Sequence, residues 1–320
     1  MKQPSTDWRE KVPPDEETHF ARVGRVIGDL QKSRSAKFGT GRGLHRKQLL
    51  ATTGLLEVLE GLPEHARHGL FATPGRHRAL VRLSNGGPDM QANKTPDIRG
   101  FALKVFDVSG AGALGGTADH QDFLMINQDR LPGPDTREFT DFVEASIGGQ
   151  LAGVLSLFKA HGLFGGFGKL REVLSLVGKT FNGFAAERFN TVAPVACGPY
   201  AVKVRLKPVG NPPARARSKD IAEDMRERLA VGPVMYDLEL QFFVDEATTP
   251  IEDLSKVWPD TQTPNVTVAR LTLTLDDSAA ERADKDRFDP WGGLAAHRPL
   301  GEVMRARKVA YHVSQQGRAA

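Results

Sequence analysis

In TPDIRGFALKVFD (residues 95–107), a proline and an aspartate open a short, mostly apolar run that Asp107 closes. A run of that length between turn-forming residues is the pattern of a strand with at least one buried face. HRALVRLSNG (77–86) precedes it and DFLMINQD (122–129) follows it, both with the same character. YAVKVRLKPV (200–209), MYDLELQFFVD (235–245) and NVTVARLTLTLDD (265–277) extend the set. In the last of these, Val266, Val268, Leu271 and Leu273 alternate with one slip. Helical periodicity lies between and around these runs. Phe20, Val23, Ile27 and Leu30 step by three and four within 15–32, residues 136–190 read as helical, and GEVMRARKVAYHVSQQ closes the chain. Strands in groups with helices between the groups, and no regular βα alternation, predict an α+β protein with a mainly antiparallel sheet. The strands are numerous enough to close a barrel.

The 320 residues suffice for one large core, and neither an internal repeat nor a low-complexity linker divides them, so one domain over 1–320 is expected, with 1–34 an N-terminal helical arm. Lys and Arg number 43 against 39 Asp and Glu, a mild excess without blocks of one sign. That balance argues against a nucleic-acid partner, which calls for a concentrated basic patch. Cys197 is the single cysteine, so an internal disulfide or a CxxC metal site is impossible, and its apolar neighbours predict a buried thiol. The N-terminus is charged, and the longest apolar stretch, 151–168, is broken by Lys159, His161 and glycines. Neither a signal peptide nor a membrane span is expected, which makes a cytoplasmic location the expectation.

The chemistry-bearing pattern is at the far end. In MRARKVAYHVSQQGR (304–318), Arg307, Tyr311 and Arg318 are four and seven residues apart and share one helix face. An Arg one turn from a tyrosine reaches its oxygen without distortion. A guanidinium beside a phenol favours the phenolate, and a ferric ion favours it more. Arg318 on the same face stands where a second anionic group could be met. On spacing alone, an exposed Arg–Tyr contact is the better account of the pattern. The other two tyrosines, Tyr200 and Tyr236, begin strands and read as packing residues, as do Trp258 and Trp291.

Several segments, in order, resemble the haem catalase superfamily. GRGLHRKQLLATTGLLEV (41–58) is similar to the family's distal segment, LVRLSNG (80–86) to its next strand, and RGFALK (99–104) to its RGFAxK signature. DFLMINQDRLP, GPVMYDLELQFF, IEDLSKVWP and RFDPWGG resemble later strands and turns, and RKVAY (307–311) resembles the proximal helix. The resemblance covers most of 35–318. It implies an antiparallel β-barrel of about eight strands with inserted and C-terminal helices around haem b with ferric iron. It implies that Tyr311 is the iron ligand, that His45 is the distal acid–base catalyst oriented by Ser84, and that Arg307 partners the tyrosine. Arg42, Arg82 and Arg318 are implied to meet the propionates, with Leu44, Phe123 and Leu131 against the macrocycle; Arg99 is read as structural.

The chain is shorter than full-length catalases at both ends, which implies a minimal core and a less restricted pocket. Counting back from Phe123 places Ala118 where the family's distal asparagine stands, with Asp119 and Gln121 as polar neighbours that could replace it. The implied activity is a haem peroxidase that reduces hydrogen peroxide or organic hydroperoxides through a ferryl intermediate, using a small organic reductant, with weak or no catalase activity. True catalase activity is the first alternative, and a haem carrier or sensor without turnover is the alternative of another class. A homodimer is the expected assembly.

Overall fold

The computed structural model describes residues 2–319. Helix α1 (Glu16–Phe38) precedes four long strands: β1 (Gln48–Val58), β2 (Gly75–Asn85), β3 (Arg99–Ala111) and β4 (Thr117–Ile126). Helices α2 (Arg137–Ile147) and α3 (Gln150–Val177) follow. Then come β5 (Phe189–Asn190), β6 (Val195–Cys197), β7 (Tyr200–Pro208), α4 (Ile221–Val231), β8 (Val234–Phe242) and β9 (Asn265–Thr274). The chain ends in α5 (Ala279–Lys285) and α6 (Glu302–Ala319).

All strand pairs are antiparallel, in the order β5-β4-β3-β2-β1-β9-β8-β7-β6. The short β5 pairs with β4 through Ile126↔Asn190 and with β7 through Phe189↔Leu206, which closes an eight-stranded barrel and leaves β6 as a ninth strand on β7. The α+β barrel expected from the strand pattern is thus present. Closure removes the open edges that a sheet of this size would otherwise expose.

Strand alternation sorts the side chains. Val81 and Leu83 of β2, Phe101, Leu103 and Val105 of β3, Phe123 and Met125 of β4, and Leu238 and Leu240 of β8 fill the interior with almost no exposed surface. Each such burial contributes about 1.5–3 kcal/mol against an exposed reference. The opposite face carries Arg82 and Ser84 on β2 and Gly100 and Ala102 on β3. Leu124 and Ile126 on β4 continue that face, in the cross-strand rows Arg82–Ala102–Leu124 and Ser84–Gly100–Ile126. Part of it is covered by α5, where Ala279 and Ala283 pack with Ala51, Leu80 and Phe288.

The slip in the β9 alternation is a bulge: Leu238 pairs with Ala269 but Glu239 with Thr267, so Val268 has no opposite residue. Helix α1 starts with Glu16 and Glu17, favourable at a helix N-terminus, and ends where Gly39 takes φ +82°. It lies on α6, close enough that a Cβ at Gly24 would stand 3.0 Å from the Val309 side chain. The sequence reading missed β1, α4 and α5, and the helical stretch ends at Val177 rather than near 190. Among the described residues, no helix is long and apolar enough to cross a membrane.

Candidate functional site

His45 sits in the loop between α1 and β1 with φ +50°. A residue with a Cβ pays roughly 1–2 kcal/mol to sit there, so the surroundings must hold it. The His45 N–H donates to Gly86 O at 2.9 Å and the Arg46 N–H to Gly87 O at 3.3 Å. The buried Arg46 guanidinium staples the loop by donating to Arg42 O at 3.0 Å and also to Gly39 O. The turn aims the imidazole at the outer face of the barrel, where Nδ1 lies 3.1 Å from Ser84 Oγ. Gly100 makes room for it: a Cβ at that position would stand 2.5 Å from His45 Nδ1 and 2.7 Å from Ser84 Oγ.

On α6, Arg307 Nη2 donates to the Tyr311 hydroxyl at 3.0 Å, with the guanidinium carbon 5.2 Å from the ring centroid. Arg318, two turns on, donates to Asp284 O at 3.4 Å. Arg42 pairs with Asp284 Oδ1 at 3.1 Å and donates to the carbonyls of Ala283 (3.1 Å), Asp284 (3.2 Å) and Asp286 (3.0 Å) at the end of α5. Arg82 is buried and donates to Arg46 O at 3.2 Å. Both Arg82 Nε and Arg318 Nε are buried without an acceptor. A buried guanidinium donor left unpaired is costly, and an anion between these two arginines would lower that cost.

Electrostatics confirm that the groups share one space. Burial pushes His45 down to about 3, and the charges of Arg82, Arg307 and Arg42 push the same way, so the imidazole is neutral at physiological pH. Burial pushes Arg82 down to about 9, with Arg42 and Arg318 adding repulsion and Asp284 and Tyr311 opposing it. Arg42 is pushed down to about 10 by burial and then by Arg318. Burial lowers Arg318 too, against the pull of Asp284. The structure therefore brings Arg42, His45, Arg82, Ser84, Arg307, Tyr311 and Arg318 into one cluster, cationic in excess, between the outer face of β2–β3 and α6.

Three residues expected against a macrocycle pack against other parts of the protein in this structure. Phe123 pairs with Leu103, so strand alternation turns it into the barrel interior, 6.4 Å from the Phe71 ring. The β4 side chains on the site's face are instead Leu124 and Ile126. Leu131 packs on the main core and donates its N–H to Leu254 O at 2.9 Å. Leu44 packs with Val26, Leu30, Val143 and Ile147 between α1 and α2. The polar residues considered as replacements for an asparagine do not reach the cluster either. Ala118 pairs with Gly110 at the far end of β4, and Asp119 is exposed beside His120. Gln121 is buried and accepts from the Leu294 N–H at 2.9 Å.

Four contributors were not read from the sequence as site residues: Gly100, Arg46, Gln31 and the Lys104–Asp122 pair. Gln31 of α1 is buried and donates to Gly41 O at 2.7 Å and Ser314 O at 3.0 Å, tying the His45 loop to α6. Lys104 and Asp122 form a buried ion pair at 2.9 Å. Asp122 also accepts from the Asp289 N–H at 2.9 Å, and Asp289 accepts from Gln315 Nε2 at 2.7 Å, which docks α6 on the barrel. Of these, only Gly100 and Lys104 carried a sequence signal, as the glycine and lysine of RGFAxK. Arg99, read as structural, is buried and bonds Asn85 Oδ1, Asn93 O and Thr95 O.

No protein-family model and no curated protein sequence matches the chain. Solved structures do. A fungal catalase superposes with a TM-score of 0.69 at 18% identity over 99% of this chain and 65% of its own. Catalase A from Saccharomyces cerevisiae gives 0.70 at 16% identity over 99% and 67%. A bacterial catalase gives 0.65 at 16% identity over 99% and 63%. The chain has the catalase fold, and it spans about two thirds of the length of these structures.

Proposed function

We propose that this chain, as a single domain over 1–320, is a haem-dependent peroxidase that reduces hydrogen peroxide or organic hydroperoxides, with weak or no catalase activity. The observation that carries the reading is the convergence of the His45–Ser84 and Arg307–Tyr311 pairs with Arg42, Arg82 and Arg318 in one space. The residues fit haem. Two carboxylates of a propionate pair would supply the missing acceptors and offset the cationic excess. The Tyr311 oxygen is a hard anionic ligand suited to ferric iron.

When bound, ferric haem supplies the redox centre at which the peroxide O–O bond is broken. Tyr311 would hold the iron through its phenolic oxygen, with Arg307 fixing that oxygen and answering its charge. Arg42, Arg82 and Arg318 would bind the propionates. The neutral His45, with Nδ1 held by Ser84 Oγ, has Nε2 free to accept the hydroperoxide proton. The same ring nitrogen would return that proton to the departing oxygen, which would leave as water or an alcohol. A small organic reductant would supply two electrons and two protons, with which the second peroxide oxygen leaves as water. Across from Gly100 and Ala102 the β4 residues are the apolar Ile126 and Leu124, so β4 supplies no polar side chain at those two positions to meet a second hydrogen peroxide, which supports the peroxidase reading.

An oxygen electrode with hydrogen peroxide, run beside dye peroxidation with an organic hydroperoxide, tests this. Dye oxidation with little oxygen release supports the reading, and rapid oxygen release with no dye oxidation contradicts it. His45→Ala is expected to retain haem and to lose roughly 10²- to 10⁴-fold in peroxide reaction rate. An unchanged rate would leave a haem carrier as the better description.

A further inference from the structure

Helix α3 is bent, apolar and uncovered. Gly162 interrupts it with φ +68°, ψ −178°, dividing it into two arms. Phe158 of the first arm meets Phe167 of the second edge-on at 5.0 Å, and a Cβ at Gly166 would stand 2.6 Å from the Phe158 ring. The bend is therefore packed. What the arms turn outward is apolar: Leu151, Leu155, Leu163, Phe167 and Leu174 are exposed, and Phe164 beside the bend is 90% exposed. A contiguous apolar surface of this kind marks a place where something binds.

The charges on the same surface identify the occupant. Residues 150–179 hold Lys159, Lys169, Arg171 and Lys179 against the single carboxylate Glu172. Glu172 is already held by Arg130 at 3.2 Å and Lys169 at 3.6 Å, and the neighbouring Glu138 by Lys169 at 2.8 Å and His161 at 3.4 Å. Lys159 and Arg171 are exposed and have no ion pair among the described residues. They sit in register with the apolar side chains: Leu151, Leu155 and Lys159 are successive turns of the first arm, and Phe167, Arg171 and Leu174 share a face of the second. Apolar side chains with cations along their margin suit a bilayer, where the former enter the acyl boundary and the latter meet lipid phosphates. A second copy of the chain would set this cationic surface against itself across a two-fold axis.

We propose that α3 is a peripheral docking element for anionic phospholipid bilayers, centred on Leu163 and Phe164 and flanked by Lys159 and Arg171. The proposal is independent of haem binding. Sedimentation of the full chain with vesicles tests it. Vesicles of phosphatidylcholine with phosphatidylglycerol are expected to bind the chain at least tenfold more tightly than phosphatidylcholine alone, with binding weakened by added salt. Leu163→Ser with Phe164→Ser, and separately Lys159→Glu with Arg171→Glu, should each lower binding at least tenfold. Hydrogen exchange on the unaltered chain should slow over residues 158–168 when vesicles are added, a readout that does not depend on any variant folding. Absence of binding to the anionic vesicles overturns the proposal. So does binding that leaves exchange over 158–168 unchanged, or a concentration-dependent dimer that Phe164→Ser dissociates in a chain that ignores vesicles.

Discussion

One methyl group added at residue 100 would fall 2.5 Å from His45 Nδ1 and 2.7 Å from Ser84 Oγ, closer than any Cβ tolerates. The imidazole or the hydroxyl must then move, and the 3.1 Å contact between them is lost. Gly100→Ala is expected to keep haem binding and to slow the peroxide reaction by about 10- to 100-fold, as loss of an orienting partner does. Stopped-flow absorbance of the loaded protein measures it, and a rate within a factor of two of the parent would show that Gly100 does not position the histidine. His45 itself makes a second prediction. Its folded value of about 3 lies well below the usual histidine range, so its basic form persists as pH falls below 6.5. The peroxide rate constant should therefore show no inflection near 6.5 when followed from pH 5 to 8. A rate that halves near 6.5 would mean that burial, with the arginines around it, does not hold His45 neutral as the geometry implies.

At the scale of elements, Gln31 joins α1, the His45 loop and α6 through two donated hydrogen bonds from one buried amide. Gln31→Ala removes both hydrogen bonds from two part-buried carbonyls, at a cost of about 0.5–1.5 kcal/mol for each bond. Thermal unfolding should show the lower midpoint, and haem should dissociate faster, because the loop and α6 hold opposite sides of the proposed site. An unchanged midpoint and dissociation rate would contradict this linkage. Local pattern explains which elements were readable. Strands β2, β3, β7, β8 and β9 declare themselves by period, and even the β9 bulge at Val268 was visible as a slip. β1 was not readable because Gly54 interrupts its apolar run. That glycine is explained by β9, whose Thr272 O would stand 2.5 Å from a Cβ there. Asp220 caps α4 by accepting from the Ala222 N–H at 2.8 Å, a signal that the preceding GNPPARARSK loop obscured.

The same division holds for the site. Arg307 and Tyr311 are neighbours by helix spacing, and the structure pairs them. Arg42, His45, Arg82 and Ser84 rested on resemblance alone; the cross-strand rows put Arg82 and Ser84 on the face of Gly100, and the loop before β1 brings His45 to Ser84. Phe123 was misplaced because a resemblance in sequence says nothing about which side of β4 a residue occupies, whereas its pairing with Leu103 settles the matter. Gln31 and Arg46 act through partners distant in the chain or through backbone atoms, and neither kind of contact leaves a sequence pattern; Gly100 stood in the RGFAxK signature, but its role beside His45 shows only in the fold.

Over the whole molecule, burial holds the two histidines at the site and at the barrel end far below their unfolded values: His45 at about 3 and His297 at about 4. A depressed histidine binds its proton in the unfolded chain before the folded one. The stability it contributes is therefore full above about 6.5 and declines as pH falls toward the folded value, by about 1.4 kcal/mol per pH unit for the buried His297. Asp122, raised to about 6 by burial despite Lys104, offsets part of that decline below pH 6. Urea unfolding should give a lower midpoint at pH 5 than at pH 7, and equal midpoints would contradict the burial assigned to these rings.

The barrel, α5 and α6 matter to function only if they enclose one haem whose iron Tyr311 holds opposite His45. Electronic absorption and electron paramagnetic resonance of the ferric protein, compared with Tyr311→Phe after haem addition, address that directly. The account predicts one haem per chain with a high-spin, oxygen-ligated signature that Tyr311→Phe abolishes; a variant with the same stoichiometry and the same spectrum would contradict it.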